Sequence, residues 1–325
     1  MQGLVYAAHG APLDVLERVE LQPVSATPRH VVVEVLATPI DPMDLLLIRG
    51  HYPLRATLPA FAGAEGCGRV VSVGDAVVEV SVGDLVLLPV RVGAWRSQLV
   101  VAAEDVCRVP GNVDPVQASM LRVNPITADV MLDAFVTLRP GDWLIQSPGA
   151  GSVGQFVVQL ARQRGVQTIS IVRRAQRAAL VRSLGGELVF EDGPDLVRQV
   201  RGETGGGAVV LALDGTGGET AGRLASCLEP GGTLVSYGAM SRRPTQVGVD
   251  ALVFRDVRHR GFWLRNWTTA NRPEIVHERL NSLARLSLRG EIAAEYALSD
   301  WREALQHAQR PDRCGRVVLR PSFAR

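Results

Sequence analysis

The sequence predicts an α/β protein that joins a compact, barrel-like β domain to a doubly wound parallel sheet. Three observations support this prediction. The first third of the chain contains short β-branched runs separated by Gly-Asp turns. From Trp143 onward, apolar runs alternate with helical segments, as in parallel strands joined by helices. The chain has 325 residues, which is long enough for two domains with substantial cores.

The β-rich part has three predicted strands, at residues 31–36, 68–73 and 84–90. Gly74-Asp75 and Gly83-Asp84 mark turns between them. Residues 41–53, between the first two strands, predict a short helix and then a loop. Residues 114–138 become helical, with a break at Asn124-Pro125.

The alternating part of the chain predicts a strand, a helix and a strand in close succession, followed by further strands. The predicted strands are residues 143–145, 168–172, 187–190, 208–213, 232–237 and 260–264. Residues 273–288 predict a helix, and residues 315–319 predict a closing strand.

A glycine-rich turn follows the strand at Trp143. It reads Gly-Ala-Gly-Ser-Val-Gly over residues 149–154, and a helical pattern containing Phe156, Val157 and Leu160 comes next. Strand, GxGxxG, helix and strand in this order form the unit that binds a dinucleotide. The glycines allow a tight turn and a close approach of the backbone to a pyrophosphate at the helix N-terminus.

The residues that end the next strand indicate which dinucleotide is bound. An NAD site places an Asp or Glu about 20 residues after the glycines, to accept a hydrogen bond from the ribose. Here Arg173 and Arg174 occupy that place, and no acidic residue occurs between Gly154 and Glu187. Guanidinium groups suit a 2′-phosphate. The sequence contains no lysine, so the missing acid is the stronger half of this argument for NADPH.

Composition excludes several classes of protein. The chain is 46% hydrophobic and 21% charged with a net charge of +2, which gives no reason to expect nucleic acid. No apolar run is long enough to span a membrane, and the N-terminus does not resemble a signal peptide. The four cysteines (Cys67, Cys107, Cys227 and Cys314) are far apart, so we expect reduced, buried thiols. These observations predict a soluble, cytoplasmic protein.

The whole chain resembles the medium-chain dehydrogenase/reductase superfamily, which combines a GroES-like β-barrel catalytic domain with a Rossmann cofactor domain. Five segments resemble the mitochondrial-type trans-2-enoyl thioester reductases in particular. They are Gly50-His-Tyr52 before LPAFAGAEG, Gly93-Ala-Trp-Arg96, Val123-Asn-Pro-Ile-Thr127, Tyr237-Gly-Ala-Met240 and Arg260-Gly-Phe-Trp-Leu264. Quinone oxidoreductases are the near neighbour, because they share a Gly-x-Tyr-Pro segment like residues 50–53. The resemblance implies catalytic-domain residues 1–120 and 266–325, cofactor-domain residues 121–265, and a homodimer.

Many members of this superfamily are zinc alcohol dehydrogenases, whose catalytic metal needs Cys and His ligands. The matching segments here lack them, since residues 41–44 read Asp-Pro-Met-Asp and Ala64 stands where the ligand His would be. Glu65 and Cys67 alone cannot build a site, and there is no four-cysteine cluster. We therefore expect no metal.

Without a metal, hydride transfer requires an electron-poor acceptor, such as a C=C bond conjugated to a carbonyl, or a quinone. The resemblance places the proton-donating tyrosine at Tyr52; a surface or packing tyrosine is the alternative interpretation. The neighbouring His51 is expected to face solvent. The predicted function is NADPH-dependent reduction of a trans-2-enoyl thioester. The alternatives are quinone or enone reduction, and a non-catalytic NADPH-binding sensor.

The resemblance also implies residues that bind NADPH. Asn124 and Thr127 are expected on the nicotinamide side, with a capped helix break as the alternative. Phe262, Trp263 and Leu264 are expected to wall the pocket, with core packing as the alternative. The remaining expected contacts are Ala150, Gly151, Ser152, Val153, Gly154, Arg173, Arg174, Ala175, Tyr237, Gly238, Ala239, Met240 and Arg316.

Overall fold

The computed structural model describes residues 1–322 and divides the chain into two compact units. Unit 1 comprises Met1–Val123 and Arg272–Arg325, and unit 2 comprises Asn124–Asn271. The boundaries expected from the sequence, 120/121 and 265/266, lie a few residues before these. Residues 323–325 of the predicted catalytic domain lie outside the described residues.

The elements are numbered in chain order. The strands are β1 (Gln2–Tyr6), β2 (Leu16–Glu20), β3 (His30–Pro39), β4 (Ala60–Phe61), β5 (Cys67–Val73), β6 (Leu85–Leu87), β7 (Gln98–Ala102), β8 (Cys107–Val109), β9 (Trp143–Ser147), β10 (Gln167–Val172), β11 (Leu188–Glu191), β12 (Val209–Asp214), β13 (Thr233–Ser236), β14 (Arg258–Gly261), β15 (Ile292–Ala297) and β16 (Arg316–Arg320). The helices are α1 (Pro12–Val15), α2 (Pro42–Ile48), α3 (Pro115–Ala118), α4 (Asn124–Ala134), α5 (Ser152–Gln163), α6 (Ala178–Ser183), α7 (Leu196–Glu203), α8 (Glu219–Cys227), α9 (Leu264–Ala270), α10 (Pro273–Ala284) and α11 (Trp301–Ala308).

Unit 1 is built from two β-sheets. The larger sheet has the order β15-β16-β3-β5-β6-β8 with β7 also paired to β3, and the smaller has the order β2-β1-β4. All pairs are antiparallel except β15 with β16. One core cluster contains Val31, Val33 and Val35 of β3 and Leu99 of β7, while another gathers Leu4, Ile48 and Trp95. The predicted β-rich domain is therefore present.

Unit 2 contains a six-stranded parallel sheet in the order β11-β10-β9-β12-β13-β14. This is the strand order of dinucleotide-binding folds, in which the order reverses beside the first strand. That first strand here is β9, and helix α5 follows it. The strands are apolar on both faces, with Leu144, Ile145, Leu211 and Leu234 fully buried. The fold class predicted from the sequence is confirmed.

The predicted strand at residues 260–264 is wrong in its bounds. β14 ends at Gly261, which is its last residue paired with β13, and Leu264 begins helix α9. The apolar run Phe262-Trp263-Leu264 covers the turn between the two elements, and the ring of Phe262 packs edge-on against Phe135 at 6.1 Å. An apolar run of this length cannot distinguish a strand from a buried turn.

The cysteine prediction holds for three of the four residues. Cys67, Cys107 and Cys227 are free and buried, and burial raises the pKa of the Cys107 and Cys227 thiols to about 11 and about 12. Cys314 is free but exposed, which corrects the expectation of a buried thiol. No helix in the described part of the chain is long and apolar enough to cross a membrane.

Candidate active site

The glycine-rich turn of unit 2 connects β9 to α5 at the carboxyl edge of the sheet. A Cβ on Gly154 would lie 2.5 Å from the carbonyl oxygen of Pro148 and 2.6 Å from that of Gly149, so only glycine fits there. The turn closes through a 3.0 Å hydrogen bond from the Gly151 N–H to the Pro148 carbonyl. Ala150, Gly151, Ser152 and Val153 are partly exposed, whereas Gly154 is buried.

Gly151 is the N-cap of α5 and contributes no side chain to cap the helix. The first N–H groups of an α-helix have no intrahelical acceptor, and the helix dipole adds positive potential there. A 12-residue helix that begins at a side-chain-free cap fits the pyrophosphate of a dinucleotide. These residues therefore meet the requirements for the predicted cofactor.

Arg173, Arg174 and Ala175 follow β10 directly, and all three are exposed. β10 is the sheet neighbour of β9, so these residues and the glycine turn lie at the carboxyl ends of adjacent strands. This arrangement places two guanidinium groups where a ribose-binding acid stands in NAD sites, and it suits a phosphate.

Asn124 and Thr127 lie in the first turn of α4, and both are buried. The side-chain Nδ2 of Asn124 is buried and has no hydrogen-bond partner in residues 1–322. An amide donor buried without an acceptor is costly unless a ligand satisfies it. Asn124 is therefore suited to donate a hydrogen bond to a bound molecule.

The segment Tyr237–Met240 follows β13 and lies against the loop after β12. The Tyr237 N–H donates to the Asp214 carbonyl at 2.9 Å, and the Met240 N–H donates to the Gly215 carbonyl at 3.1 Å. Burial raises the pKa of the Tyr237 hydroxyl, and the negative charge of Asp214 raises it further. Gly238 and Ala239 are exposed, as is the side chain of Met240 at 66%.

Phe262, Trp263 and Leu264 lie between β14 and the start of α9 and make different contacts. Phe262 packs on Phe135, and the Arg265 guanidinium lies 5.7 Å from the ring centre of Trp263. Leu264 begins α9. All three side chains are partly exposed, so both readings of this segment, pocket wall and core packing, stay open.

Tyr52 lies in unit 1, at the end of the turn that terminates α2. The N–H groups of His51 and Tyr52 both donate to the Leu46 carbonyl, at 2.9 Å and 3.2 Å. Gly50 adopts the left-handed conformation, with φ of +72°. A Cβ on Gly50 would lie 2.9 Å from the ring of His9, so glycine is required on both counts. Tyr52 is partly exposed, and His51 is exposed as expected.

Arg316 lies in the interior of the protein, 3% exposed. Its Nη1 lies 2.7 Å from Oδ1 of Asp41, which is also buried, and donates to the Ile40 carbonyl at 3.2 Å. The sequence-based expectation of a cofactor contact did not include this ion pair.

Two further buried carboxyls, Asp44 and Glu65, accompany Asp41 and Arg316. Burial raises the pKa of both well above the ordinary range, and the charge of Asp41 raises each further. In residues 1–322, no N–H or O–H group donates to the carboxyl oxygens of Glu65 or to Oδ2 of Asp41. The raised pKa of Glu65 favours its protonated form, whose O–H is a donor that the ionised form lacks. Within residues 1–322, the structure contains no group of three or more His, Cys, Asp or Glu side chains arranged to hold a metal.

Two buried polar residues beside the glycine turn were not predicted from the sequence. Gln146 donates through Nε2 to the Gly154 carbonyl at 3.0 Å and to Ser170 Oγ at 3.1 Å. Asp214 ends β12, and its Oδ1 accepts from the N–H groups of Thr216 and Gly217 at 2.9 Å and 2.8 Å. Each is a polar residue within or at the carboxyl end of an apolar strand, and that pattern could have identified them.

Comparisons with known proteins cover both units. Residues 27–123 match the alcohol dehydrogenase GroES-like domain, and residues 152–282 match the zinc-binding dehydrogenase family. The mitochondrial enoyl-[acyl-carrier-protein] reductase of Bos taurus is 36% identical, across 98% of this chain and 88% of that protein.

Two solved structures have the same fold over nearly the whole chain. The complex of Etr1p with NADP and crotonyl-CoA has a TM-score of 0.87 at 25% identity, covering 98% of this chain and 99% of that one. Etr1p has also been solved as a heterodimer with Etr2p, described as mitochondrial 2-enoyl thioester reductase from Candida tropicalis. The Escherichia coli quinone oxidoreductase complexed with NADPH has a TM-score of 0.85 at 26% identity, covering 99% of this chain and 100% of that one.

The glycine turn, the strand order of unit 2 and these likenesses all indicate the same family. The chain belongs to the medium-chain dehydrogenase/reductase superfamily and, within it, to the family of the mitochondrial-type enoyl reductases.

Proposed function

We propose that this protein uses NADPH to reduce the C=C bond of trans-2-enoyl thioesters. The observation that carries the proposal is the 36% identity to an enoyl-[acyl-carrier-protein] reductase over 98% of the chain, which spans both the Tyr52 segment and the glycine turn. The solved complex of Etr1p with NADP and crotonyl-CoA supports the same cofactor and the same substrate class.

The residues of unit 2 fit the cofactor. The N-terminus of α5 would hold the pyrophosphate, and Arg173 and Arg174 would hold the 2′-phosphate. Asn124, with its unsatisfied Nδ2, would donate to the nicotinamide amide. When bound, NADPH supplies the hydride that adds to the β-carbon of the substrate.

Tyr52 completes the reduction by supplying the proton. Its hydroxyl donates to the α-carbon as the electrons of the C=C bond move there, and the carbonyl of the thioester stabilises the developing charge. Tyr52 is partly exposed, so the resulting phenolate can regain a proton from solvent. This chemistry needs no metal ligand from the chain.

The variant Tyr52→Phe tests the proposal. General acid catalysis contributes about 10²- to 10⁴-fold, so we expect a loss of turnover of that order on crotonyl-CoA. NADPH affinity should stay unchanged. Tyr296→Phe is the matched control, because Tyr296 is also a partly buried tyrosine of unit 1 but bonds to His307. Full turnover by Tyr52→Phe would reject Tyr52 as the acid, and an inactive wild type on every enoyl thioester would reject the function.

Quinone or enone reduction is the second candidate. It is favoured by the likeness to the NADPH complex of the Escherichia coli quinone oxidoreductase, which covers 99% of this chain. Comparing kcat/KM for crotonyl-CoA with kcat/KM for a simple quinone decides between the two. A value higher for the quinone by orders of magnitude would replace the thioester proposal.

We further propose a homodimer formed through unit 2. β14 is the edge strand of the parallel sheet, and a π-helical turn, Asp250–Phe254, precedes it. Val249, Val253 and Phe254 are 68%, 65% and 82% exposed, which forms an apolar surface beside an unpaired sheet edge. A second copy of the chain is the partner that would cover both.

The cytoplasmic location expected from the sequence is also a proposal. The bovine relative, by contrast, is named as mitochondrial.

A further inference from the structure

Helix α2 links the buried ion pair of unit 1 to the Tyr52 segment. Asp41 is the N-cap residue of α2, and Tyr52 lies in the turn that ends it. The helix has seven residues, so it is a stiff element about 10 Å long. A displacement at Asp41 would therefore move the backbone of Tyr52.

The start of α2 is fixed to β16. Nη1 of Arg316 lies 2.7 Å from Asp41 Oδ1 and also donates to the Ile40 carbonyl at 3.2 Å. The Ile40 N–H in turn donates to the Val317 carbonyl at 2.9 Å. The Arg316 guanidinium thus bonds to two consecutive residues, Ile40 and Asp41, directly before the first residue of α2.

Asp44 adds a second attachment at the same end. Its Oδ2 accepts from the Asp41 N–H at 2.7 Å, and its Oδ1 accepts from the Ala64 N–H at 2.6 Å. Asp44 is buried, so no solvent competes for these bonds. The first turn of α2 is therefore held from two sides.

The far end of α2 is held by Ile48, which packs in the core with Leu4 and Trp95, and by two further hydrogen bonds. The Gly10 N–H donates to the Ile48 carbonyl at 3.1 Å, and the exposed side chains of Arg49 and Gln309 bond at 2.7 Å. Tyr52 itself is tied to the helix through its 3.2 Å bond to the Leu46 carbonyl. The position of Tyr52 thus follows the placement of α2, and the first turn is the end of that helix that carries the buried ion pair.

We propose that Arg316 is a positioning residue, which through Asp41 fixes α2 and so the placement of Tyr52, and that it does not contact the cofactor. This proposal rests on the proposed role of Tyr52 as the acid. It gives a buried arginine a function that differs from the one that the family resemblance implies. The two roles predict different consequences for Arg316 variants.

The variants Arg316→Met, Asp41→Asn, Arg316→Lys and the double variant Asp41→Asn/Arg316→Met separate the two roles. Arg320→Met is the control, because Arg320 lies on the same strand but pairs with Glu295 of β15 at 2.6 Å and bonds to the Leu36 carbonyl, not to a residue of α2. The first readout is hydrogen exchange of residues 42–53 in the full chain, which reports local opening. The others are kcat for crotonyl-CoA and the Kd for NADPH.

If Arg316 positions Tyr52, exchange of residues 42–53 should speed up about tenfold or more in Arg316→Met and in Asp41→Asn. The value of kcat should fall by about tenfold or more while the Kd for NADPH changes less than about twofold. Arg316→Lys should recover part of both. The double variant should be no worse than the worse single variant, because the two residues act through one contact. Arg320→Met should behave as the wild type.

A weaker Kd for NADPH with unchanged exchange of residues 42–53 would overturn the proposal and return Arg316 to a cofactor contact. If a single variant fails to fold, the double variant, which leaves no buried charge unpaired at this contact, decides the question. If wild type has no turnover on any enoyl thioester, the proposed function fails. Unchanged exchange in the variants would then overturn the positioning role independently.

Discussion

Gln146 in β9 donates a 3.0 Å hydrogen bond from Nε2 to the carbonyl oxygen of Gly154 in α5. The strand that precedes the glycine turn is thereby tied to the helix that follows it. Gln146 is completely buried, and the same Nε2 reaches Ser170 in the adjacent strand. The turn is therefore supported from beneath by a side chain that lies outside the GxGxxG motif.

The variant Gln146→Leu should lower both stability and cofactor affinity. Losing Nε2 removes one buried hydrogen bond to the Gly154 carbonyl, at a cost of about 0.5–1.5 kcal/mol in the free energy of unfolding. Urea unfolding and an NADPH titration measure the two effects. Gln159→Leu is the control, because Gln159 donates a similar bond on the partly exposed side of α5. Equal effects of the two substitutions would show that Gln146 has no special role in the turn.

Replacing Arg173 and Arg174 together with Ser should weaken NADPH binding and leave NADH binding nearly unchanged. Each hydrogen bond to a charged group contributes about 1.5–3 kcal/mol, so a loss of about tenfold or more in NADPH affinity is expected. The exposed Arg182 of α6, replaced by Ser, controls for net charge. Equal affinity of the wild type for the two cofactors would contradict the role of the arginine pair.

The variant Gly50→Ala should lose more stability than the backbone strain of a left-handed alanine accounts for. A left-handed conformation costs a non-glycine residue about 1–2 kcal/mol. Gly83 is the matched control, since it has φ of +96° and a Cβ added to it would meet no atom within 4 Å, whereas a Cβ on Gly50 would meet the ring of His9 at 2.9 Å.

Gly83→Ala should therefore lose only the strain energy. Gly50→Ala should lose more and should also reduce turnover, and His9→Ala in the Gly50→Ala background should recover part of the loss. Thermal unfolding and crotonyl-CoA kinetics measure the two quantities. Identical behaviour of the two alanine variants would mean that the contact with His9 does not hold the segment in place.

The variant Glu65→Gln should make stability less dependent on pH. The pKa of Glu65 is raised in the folded protein by burial and then by Asp41, so the folded state holds a proton that the unfolded chain releases above about pH 4.3. The stability gained from this proton is complete below that pH, and it is lost as the pH rises towards the folded pKa. The slope is about 1.4 kcal/mol per pH unit for one proton.

Glutamine keeps a donor for Asp41 but has no proton to lose, so Glu65→Gln should lack this part of the slope. Urea unfolding between about pH 5 and pH 8 tests the difference. The exposed Glu17, replaced by Gln, is the control. A wild-type slope retained in Glu65→Gln would mean that Glu65 is ionised in the folded protein.

The sequence was sufficient to predict the order of the main elements, because the apolar runs follow the periods of strands and helices. It also predicted the glycine turn and the arginines after β10. It misplaced the strand at residues 260–264, since the apolar side chains of Phe262 and Trp263 serve a turn as readily as a strand. The apolar pattern of Phe262, Trp263 and Leu264 alone does not show whether they continue the strand or form the turn after it.

The buried charges could not be derived from the sequence. Asp41 and Arg316 lie near opposite ends of the chain, and only the pairing of β3 with β16 brings them to 2.7 Å. In the sequence, Asp41, Asp44 and Glu65 stood out only because their segments match those that carry metal ligands in zinc-dependent relatives. Their mutual proximity and their burial depend on tertiary packing, so the carboxyl cluster and its guanidinium partner became visible only in the structure.

The proposed dimer makes a prediction about the apolar surface before β14. Phe254 is 82% exposed, and covering it by a second copy would remove a large aromatic side chain from water. Phe254→Asp should oppose that burial, because burying an unpaired carboxylate has a high free-energy cost. We expect sedimentation velocity to show a dimer for wild type and a monomer for Phe254→Asp. Val78→Asp is the control, since Val78 is 89% exposed in unit 1, and it should remain dimeric. A monomeric wild type, or a dimeric Phe254→Asp, would show that this surface does not hold two copies together.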